Sequence, residues 1–267
     1  MVTLPRILRT PKGLLLVLFV PLLAVAMAVT GVALVAPLVG GAVLGAAAVD
    51  VPVLRWRRGR WTFPDGAILT GLIIAMVLAP HTPWHVGAIS GALGVASKYV
   101  VRARHANTFN PAALALVVAY YAFGSGQGWW GALPDAHPAW LLLLVALGVF
   151  ICDRLNKVPV VLAFLGTYYL LATGSAYLGD ASRVAELFRS PDLHAALYFA
   201  LFMVSDPPTS PPKPRQQLWF GAITGVAAWG IFTWVGAVWW LPGGLLLANA
   251  WESVRRVREH AARHAKG

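Results

Sequence analysis

An all-α integral membrane fold is predicted for this chain, and three observations predict it. Hydrophobic residues fill 58% of the 267 positions and charged residues 12%, with a mean hydropathy of +0.69, far from the roughly half-apolar, one-quarter-charged usage of soluble domains. Apolar stretches recur between polar or Pro/Gly breaks at about the 20 residues a helix needs to cross hydrocarbon, or fewer where a segment is shielded by protein. The basic residues lie in short clusters between those stretches, as orientation in a bilayer requires. The net charge of +11 therefore carries no expectation of a nucleic-acid partner; the lipid bilayer is the partner it predicts.

About ten transmembrane helices are expected, approximately Gly13–Thr30, Ala33–Leu54, Asp65–Leu78, Trp84–Val101, Pro111–Phe123, Pro138–Cys152, Val158–Ala172, Leu193–Val204, Leu218–Trp234 and Val238–Trp251. The apolar run that starts at Gly13 continues for far longer than the 7–15 or so residues of a cleavable signal, so the first stretch is expected to stay. The basic clusters test the order of the others, because a span added or lost would put the next cluster on the wrong side. With both termini cytoplasmic, the inner face of the cell membrane receives Arg6, Arg9 and Lys12 before the first stretch, and Arg55, Arg57, Arg58 and Arg60 after the second. Lys98, Arg102 and Arg104 follow the fourth, Arg154 and Lys157 the sixth, Lys213 and Arg215 the eighth, and Arg255, Arg256, Arg258, Arg263 and Lys266 the tenth. Of the 21 Lys and Arg residues, only Arg183 and Arg189 fall outside.

The chain also repeats itself. "AMVLAPHTPWHVGAISG" from Ala75 lies against "FMVSDPPTSP" from Phe202 and the later "LWFGAITG", pairing Met76-Val77 with Met203-Val204, Pro80 with Pro207, Thr82 with Thr209, and Gly87–Gly91 with Gly221–Gly225. "NPAALAL" from Asn110 aligns with "LPGGLLL" from Leu241. Matching positions are five stretches apart, and an odd number reverses direction. The expected organisation is one transmembrane domain over 1–267, with inverted five-helix repeats at 13–123 and 138–251 and a basic tail at 252–267 on the cytoplasmic surface. Short, Pro/Gly-interrupted segments at matching positions mark a site in such folds, which points to the third and eighth helices as short and broken. Asp206, Thr209 and Ser210 end the eighth. An intramembrane carboxylate is a functional candidate by default, while capping the entry to the next helix is the structural alternative for Asp206 and Thr209.

Three segments, "FPDGAILTGLIIAMVLAP" (Phe63–Pro80), "SKYVVRARHANTFNPAALAL" (Ser97–Leu116) and "FMVSDPPTSPPKPRQQLWFGAITG" (Phe202–Gly225), with the closing "LPGGLLLANAWESV", resemble the membrane subunits RnfD of the Rnf complexes and NqrB of the sodium-translocating NADH:quinone reductases. The resemblance runs from about Pro52 to Val254 and is thinnest from Gly124 to Arg189. It implies ten helices in two inverted halves, a noncovalent riboflavin, an FMN linked to a loop threonine, and electron transfer inside a larger complex coupled to ion transport. This sequence departs from the family at the covalent site. The loop Gly124–Trp140 contains no threonine, so covalent FMN at the family position is not expected, and the surroundings of Thr173 and Ser175 do not match. A noncovalent flavin, riboflavin or FMN, is what the resemblance still implies.

The candidate cofactor-binding residues are Lys98, Asn107, Asn110, Asp206, Thr209 and Ser210. Asn107, Thr108 and Asn110 stand beside Lys98, Arg102, Arg104 and His105, a cationic patch able to hold a reduced flavin anion or a phosphate through charge-assisted bonds. Lipid-surface electrostatics is the alternative use of the patch, and an ordinary helix start the alternative for Asn110-Pro111. Histidines 81, 85, 137 and 194 map near the outer face, where interfacial roles are expected rather than a metal site. Trp129-Trp130, Trp140, Trp234 and Trp239-Trp240 are expected mostly as aromatic-belt anchors. The single Cys152 excludes an internal disulfide, an iron–sulfur cluster and a thiolate zinc site. No catalytic triad order, Walker loop or dinucleotide fingerprint appears, so the chain carries no complete catalytic site of its own, and a redox role requires partner subunits or a reductase. The alternative function is an inverted-repeat channel or transporter for a small polar solute or a flavin, without redox chemistry.

Overall fold

The computed structural model describes residues 10–103, 106–179 and 181–264, and helix dominates them. Arg6, Arg9, Arg104, His105 and Lys266, all members of the basic clusters or patch, lie outside the described residues. The helices are α1 (Pro11–Thr30), α2 (Val32–Arg58), α3 (Asp65–Val77), α4 (Trp84–Val100), α5 (Pro111–Phe123), α6 (Ala139–Arg154), α7 (Val158–Leu178), α8 (Ala181–Leu187), α9 (Asp192–Phe199), α10 (Pro214–Gly230) and α11 (Trp240–His264). Helix α9 winds on as a π-helix over Ala200–Val204, and α10 does the same over Ile231–Val235. The only strands among the described residues are β1 (Arg102–Ala103) and β2 (Ala106–Asn107), an antiparallel pair that matches Arg102 with Asn107.

Local chemistry explains where the helices begin and end. Thr10 accepts the Gly13 N–H at 3.0 Å and Pro11 opens α1 with the fixed φ a first turn needs. Asn110 and Pro111 repeat that device on α5, with Asn110 Oδ1 accepting the Ala113 N–H at 3.0 Å. Helix α2 stops where Gly59 adopts φ 66° and three arginines occupy the last turn, beside the negative end of the helix dipole.

Four segments among the described residues are long and apolar enough to cross a membrane unaided: Lys12–Thr30, Val32–Arg58, Val158–Leu178 and Pro214–Val235. Shorter apolar helices cover Asp65–Val77, Pro111–Phe123 and Asp192–Val204. The protein is a multi-pass membrane protein. A 13-residue helix such as α3 rises about 20 Å, short of the ~30 Å hydrocarbon core, so it needs protein around it. Residues Leu69 to Val77 of α3 and Ala195 to Val204 of α9 and its π turn are almost all buried, and these two short helices form the middle of the molecule. The sequence predicts breaks in the third and eighth stretches. Helix α3 is regular to Val77, and its interruption comes after it, at Leu78, where the chain turns extended and bridges to Gln127. The eighth is distorted within the winding, as the π turn.

Longer helices pack around this centre by close backbone approach. A Cβ on Gly45 would fall 2.0 Å from Ala88 O, and one on Gly91 2.1 Å from Ala42 O, so α2 and α4 touch main chain to main chain. Helices α7 and α10 meet the same way, with a Cβ on Gly221 falling 2.5 Å from Val160 O.

The tryptophan expectation needs correction. Trp129, Trp130 and Trp240 are buried inside the protein, not spread on a belt, whereas Trp140 and Trp234 are exposed. The cause lies at the end of α3, whose last carbonyls face no further helical turn. The segment after α5 folds inward to meet them: Gly128 and Trp129 donate their N–H groups to Val77 O at 2.9 and 3.1 Å, and the Trp130 indole donates to Ala75 O at 2.8 Å. His194 is likewise buried, with Nδ1 3.0 Å from Ala132 O, and is not interfacial. The basic segment that starts at Glu252 continues α11 without a break to His264.

Candidate functional site

A cavity of about 590 Å³ opens at the end of the molecule where α1, α3 and α5 begin and where α4, α6 and the π turn after α9 finish. Leu69, Ile73, Leu201 and Phe202 give it apolar walls; Lys12, Asp65, Lys98, Asn107, Asn110 and Asp206 give it polar ones. Its volume lies in the usual range for small-molecule sites, about 300–1,000 Å³, and so does the mix of apolar lining with a few converging polar groups.

Each polar wall is placed by a helix end. Lys98, in the last turn of α4, donates to Gly66 O at 2.9 Å, and Thr70 Oγ1 donates to the same carbonyl at 2.7 Å. Asp65 Oδ1 accepts the Gly66 N–H at 2.6 Å. A Cβ on Gly66 would lie 3.1 Å from Lys12 Nζ, so both lysines flank the start of α3. Two cations thus stand beside the positive end of the α3 dipole, opposed by the carboxylates of Asp65 and Asp206. That corner can hold an anionic or electron-rich edge while the apolar walls take a flat ring.

Asp206 terminates the π turn and is held by its own loop. Its carbonyl accepts the N–H groups of Thr209 and Ser210 at 3.2 and 3.0 Å and the Ser210 hydroxyl at 2.8 Å, and the Thr209 hydroxyl donates to Oδ2 at 2.9 Å. Thr209 and Ser210 are buried behind the wall and do not line the cavity. Of the six candidates, then, Lys98, Asn107, Asn110 and Asp206 meet on one cavity, and the other two position the last of them. Asn110 does more than start a helix: its Nδ2 donates to Met203 O at 3.3 Å and its N–H to Asn249 Oδ1 at 2.8 Å. The loop behind Asp206 is braced by Lys157, whose Nζ donates to Pro211 O at 2.8 Å, and by Gln217, which donates to Pro212 O at 3.2 Å. Burial strips water from the Lys157 ammonium and lowers its pKa to about 8, against the opposing pull of Asp206.

Lys12, Asp65, Asn249 and Glu252 are the residues that sequence reasoning misses. Asp65 and Asn249 lie in the segments that carry the family resemblance, and an amide or a carboxylate at the edge of an apolar run is the available signal. Lys12 reads in sequence only as a flanking charge. Thr173 and Ser175 fall within α7, where the Ser175 hydroxyl donates to Leu171 O and accepts the Trp229 indole N–H. Among the described residues no three His, Cys, Asp or Glu side chains converge as metal ligands.

A family profile described as the NQR2, RnfD, RnfE family matches residues 8–140 and 130–254. The chain belongs to this family. Within the NQR2, RnfD, RnfE family, a Halorhodospira halophila protein named as a subunit of an ion-translocating oxidoreductase complex is 28% identical over 254 aligned residues, covering 70% of this chain and 71% of that protein. The protein of the same description in Shewanella amazonensis is 26% identical over 252 residues, covering 69% of this chain and 72% of its own length. Its Haemophilus influenzae namesake is 32% identical over 103 residues, 38% of this chain, and the aligned part spans 25% of that relative's length. The first family match contains Lys12, Asp65, Lys98, Asn107 and Asn110, and the second contains Asp206 and Asn249.

Proposed function

We propose that this chain is an electron-transfer subunit of a membrane oxidoreductase complex, resembling RnfD and NqrB, that holds a noncovalent flavin in the cavity between α3, α4, α5 and the π turn. Membership of the family supports the redox setting, and the relatives named as subunits of an ion-translocating oxidoreductase complex support other subunits as partners. The observation that carries the reading is the cavity itself, with cations and amides at helix ends on one side and apolar side chains on the other. These residues fit an isoalloxazine ring. Leu69, Ile73 and Phe202 would cover its faces, the Lys12 and Lys98 ammoniums would stabilise negative charge on its pyrimidine edge, and the Asn107 and Asn110 side chains would orient it. Asp206, fixed by Thr209 and Ser210, would accept from a ring N–H. Bound there, a flavin supplies one- and two-electron chemistry that the protein side chains lack.

We further propose ten membrane-crossing helices in two inverted halves, both termini at the cytoplasmic face of the cell membrane and the cavity opening to that side. Support comes from like packing in each half: α2 against α4 and α7 against α10 meet through glycines that the sequence repeat pairs, Gly87 with Gly221 and Gly91 with Gly225.

The test is purification in mild detergent from a flavin-replete host, followed by absorption and fluorescence of whatever denaturation releases. Stoichiometric released flavin is expected, with clear loss in Lys98→Ala and Asp206→Asn variants that remain monodisperse. A colourless wild-type preparation that takes up no added riboflavin or FMN would overturn the reading. If such a preparation carried a small polar solute or flavin into proteoliposomes, the transporter reading would replace it.

A further inference from the structure

From the last turn of α2 into the link to α3, every residue from Arg55 to Trp61 is exposed, and four of the seven are arginine. Trp56 and Trp61 stand 82% and 73% exposed beside Arg55, Arg57, Arg58 and Arg60. Among the described residues no carboxylate pairs with them, and both acids that flank them in sequence are engaged elsewhere. Asp50 is buried and accepts the Tyr99 hydroxyl at 2.6 Å, and Asp65 accepts the Gly66 N–H. Among the described residues none of the four guanidiniums is ion-paired. Two are steadied by rings: Arg55 lies 5.8 Å from the Trp61 centroid and Arg57 4.8 Å from that of Tyr99.

Two large indoles left uncovered beside a fourfold positive charge require a covering of matching chemistry. The face of α2 that runs up to this turn is itself exposed and apolar at Pro37, Leu44, Ala48 and Pro52, residues that share one side of the helix with Arg55, as a surface facing acyl chains must be. The turn therefore sits where the acyl-facing surface ends, at headgroup depth. A soluble acidic protein would cover the guanidiniums and leave the flank bare, whereas a phospholipid covers both.

We propose that the Arg55–Trp61 turn binds the headgroup of an anionic glycerophospholipid. The indoles lie in the interfacial layer, as amphipathic rings prefer, and the guanidiniums take the phosphate through charge-assisted, two-pronged hydrogen bonds. This needs only that the chain be embedded in a bilayer, so it stands or falls separately from the electron-transfer reading.

The test reconstitutes the full chain in phosphatidylcholine nanodiscs with a tracer of spin-labelled phosphatidylglycerol or spin-labelled phosphatidylcholine, and reads the motionally restricted fraction. Wild type should prefer phosphatidylglycerol. The triple variant R57Q/R58Q/R60Q should reduce that preference by about fivefold or more, since even one surface arginine contributes roughly that factor near an anionic leaflet, while R57K/R58K/R60K, which keeps the charges and loses the two-pronged geometry, should fall between the two. A variant-free arm uses phenylglyoxal, whose modification of these arginines should slow in phosphatidylglycerol nanodiscs and not in phosphatidylcholine ones. An unchanged preference in the glutamine variant would overturn the proposal. So would loss of the preference on adding inorganic phosphate, which would mark a small-anion site. So would a wild type without preference whose arginines become protected only when its complex assembles, which would give the face to a protein.

Discussion

The main-chain N–H of Asn110 donates to Oδ1 of Asn249 at 2.8 Å, joining residues 139 positions apart across the middle of the molecule. Both residues are buried. Asn110 starts α5 and reaches Met203 O at the end of the π turn, and the Asn249 amide reaches back to Thr209 O at 3.4 Å. One pair of amides therefore ties the start of α5, the floor of the cavity and the loop that carries Asp206 to α11. In Asn249→Leu the volume is nearly kept and the acceptor lost, leaving a buried N–H without a partner, a defect that costs about 1–3 kcal/mol. Thermal unfolding in detergent should fall accordingly, and a melting curve equal to wild type would show that the link carries no stability.

Glycine contacts give a sharper contrast. Adjacent Gly40 and Gly41 differ entirely in what a methyl would meet: nothing within 4 Å at Gly40, and Trp84 O at 2.3 Å at Gly41. Gly91→Ala and Gly221→Ala, each aimed at a backbone carbonyl of the neighbouring helix, should force the helices apart at a cost of about 1–3 kcal/mol. Gly40→Ala should be neutral or slightly stabilising, because alanine is the better helix former. Size-exclusion profiles and melting of the three variants decide it; equal behaviour would remove close packing as the reason for these glycines.

Much of this fold was legible because its signals are local. Apolar length, the Asn110-Pro111 start and the Pro/Gly breaks are properties of a few neighbouring residues, whereas the seven residues of α8 carry no apolar run to mark them. At the site, Lys98, Asn107, Asn110 and Asp206 were legible as polar groups at the ends of apolar stretches. The inward turn of Trp129 and Trp130 was not, since it depends on left-handed backbone at Trp129 and Leu133, φ 49° and 62°, and on carbonyls of α3 some fifty residues earlier. Asn249 looks like one amide in an apolar helix until its distant partner is known. Thr209 and Ser210 belonged to the right loop, but only geometry separates a residue that lines a cavity from one that holds the lining residue in place.

Glu252 supplies a third prediction. It is buried, and Arg255 and Arg256 both donate to it at 2.7 Å, while Arg256 also points at Pro208 O and Ser210 O, 3.4 Å away. Removing the carboxylate in Glu252→Gln releases Arg256 from the loop behind Asp206. The loss should be about 1–3 kcal/mol, less than for a fully buried pair because both guanidiniums reach solvent. Hydrogen exchange should quicken at Asp206, Thr209, Ser210 and Lys213, the residues of that proline-rich loop that carry an N–H, before the rest of the protein responds. Uniform protection across that loop would rule out the brace.

Lys157 makes the pH dependence specific. Burial lowers its pKa to about 8 in the folded protein from an ordinary value of 10.5. Between those two values the unfolded chain holds a proton that the folded chain has released, so the unfolded state binds more protons and stability rises with pH. Below about pH 8 both states are protonated and the cost of the buried ammonium is felt in full; above about 10.5 both are neutral and that cost has gone. The neutral amine still has two N–H groups for the Ser210 and Pro211 carbonyls that Nζ reaches at 3.4 and 2.8 Å, so deprotonation need not open the loop. Lys157→Met removes the titration together with the donors. Wild type should therefore gain stability relative to this variant as pH is raised from about 7 to about 10, read as the difference between their melting temperatures at each pH. A constant difference across that range would mean that Lys157 keeps its ordinary pKa and that its surroundings are wetter than the packing around Pro211 implies.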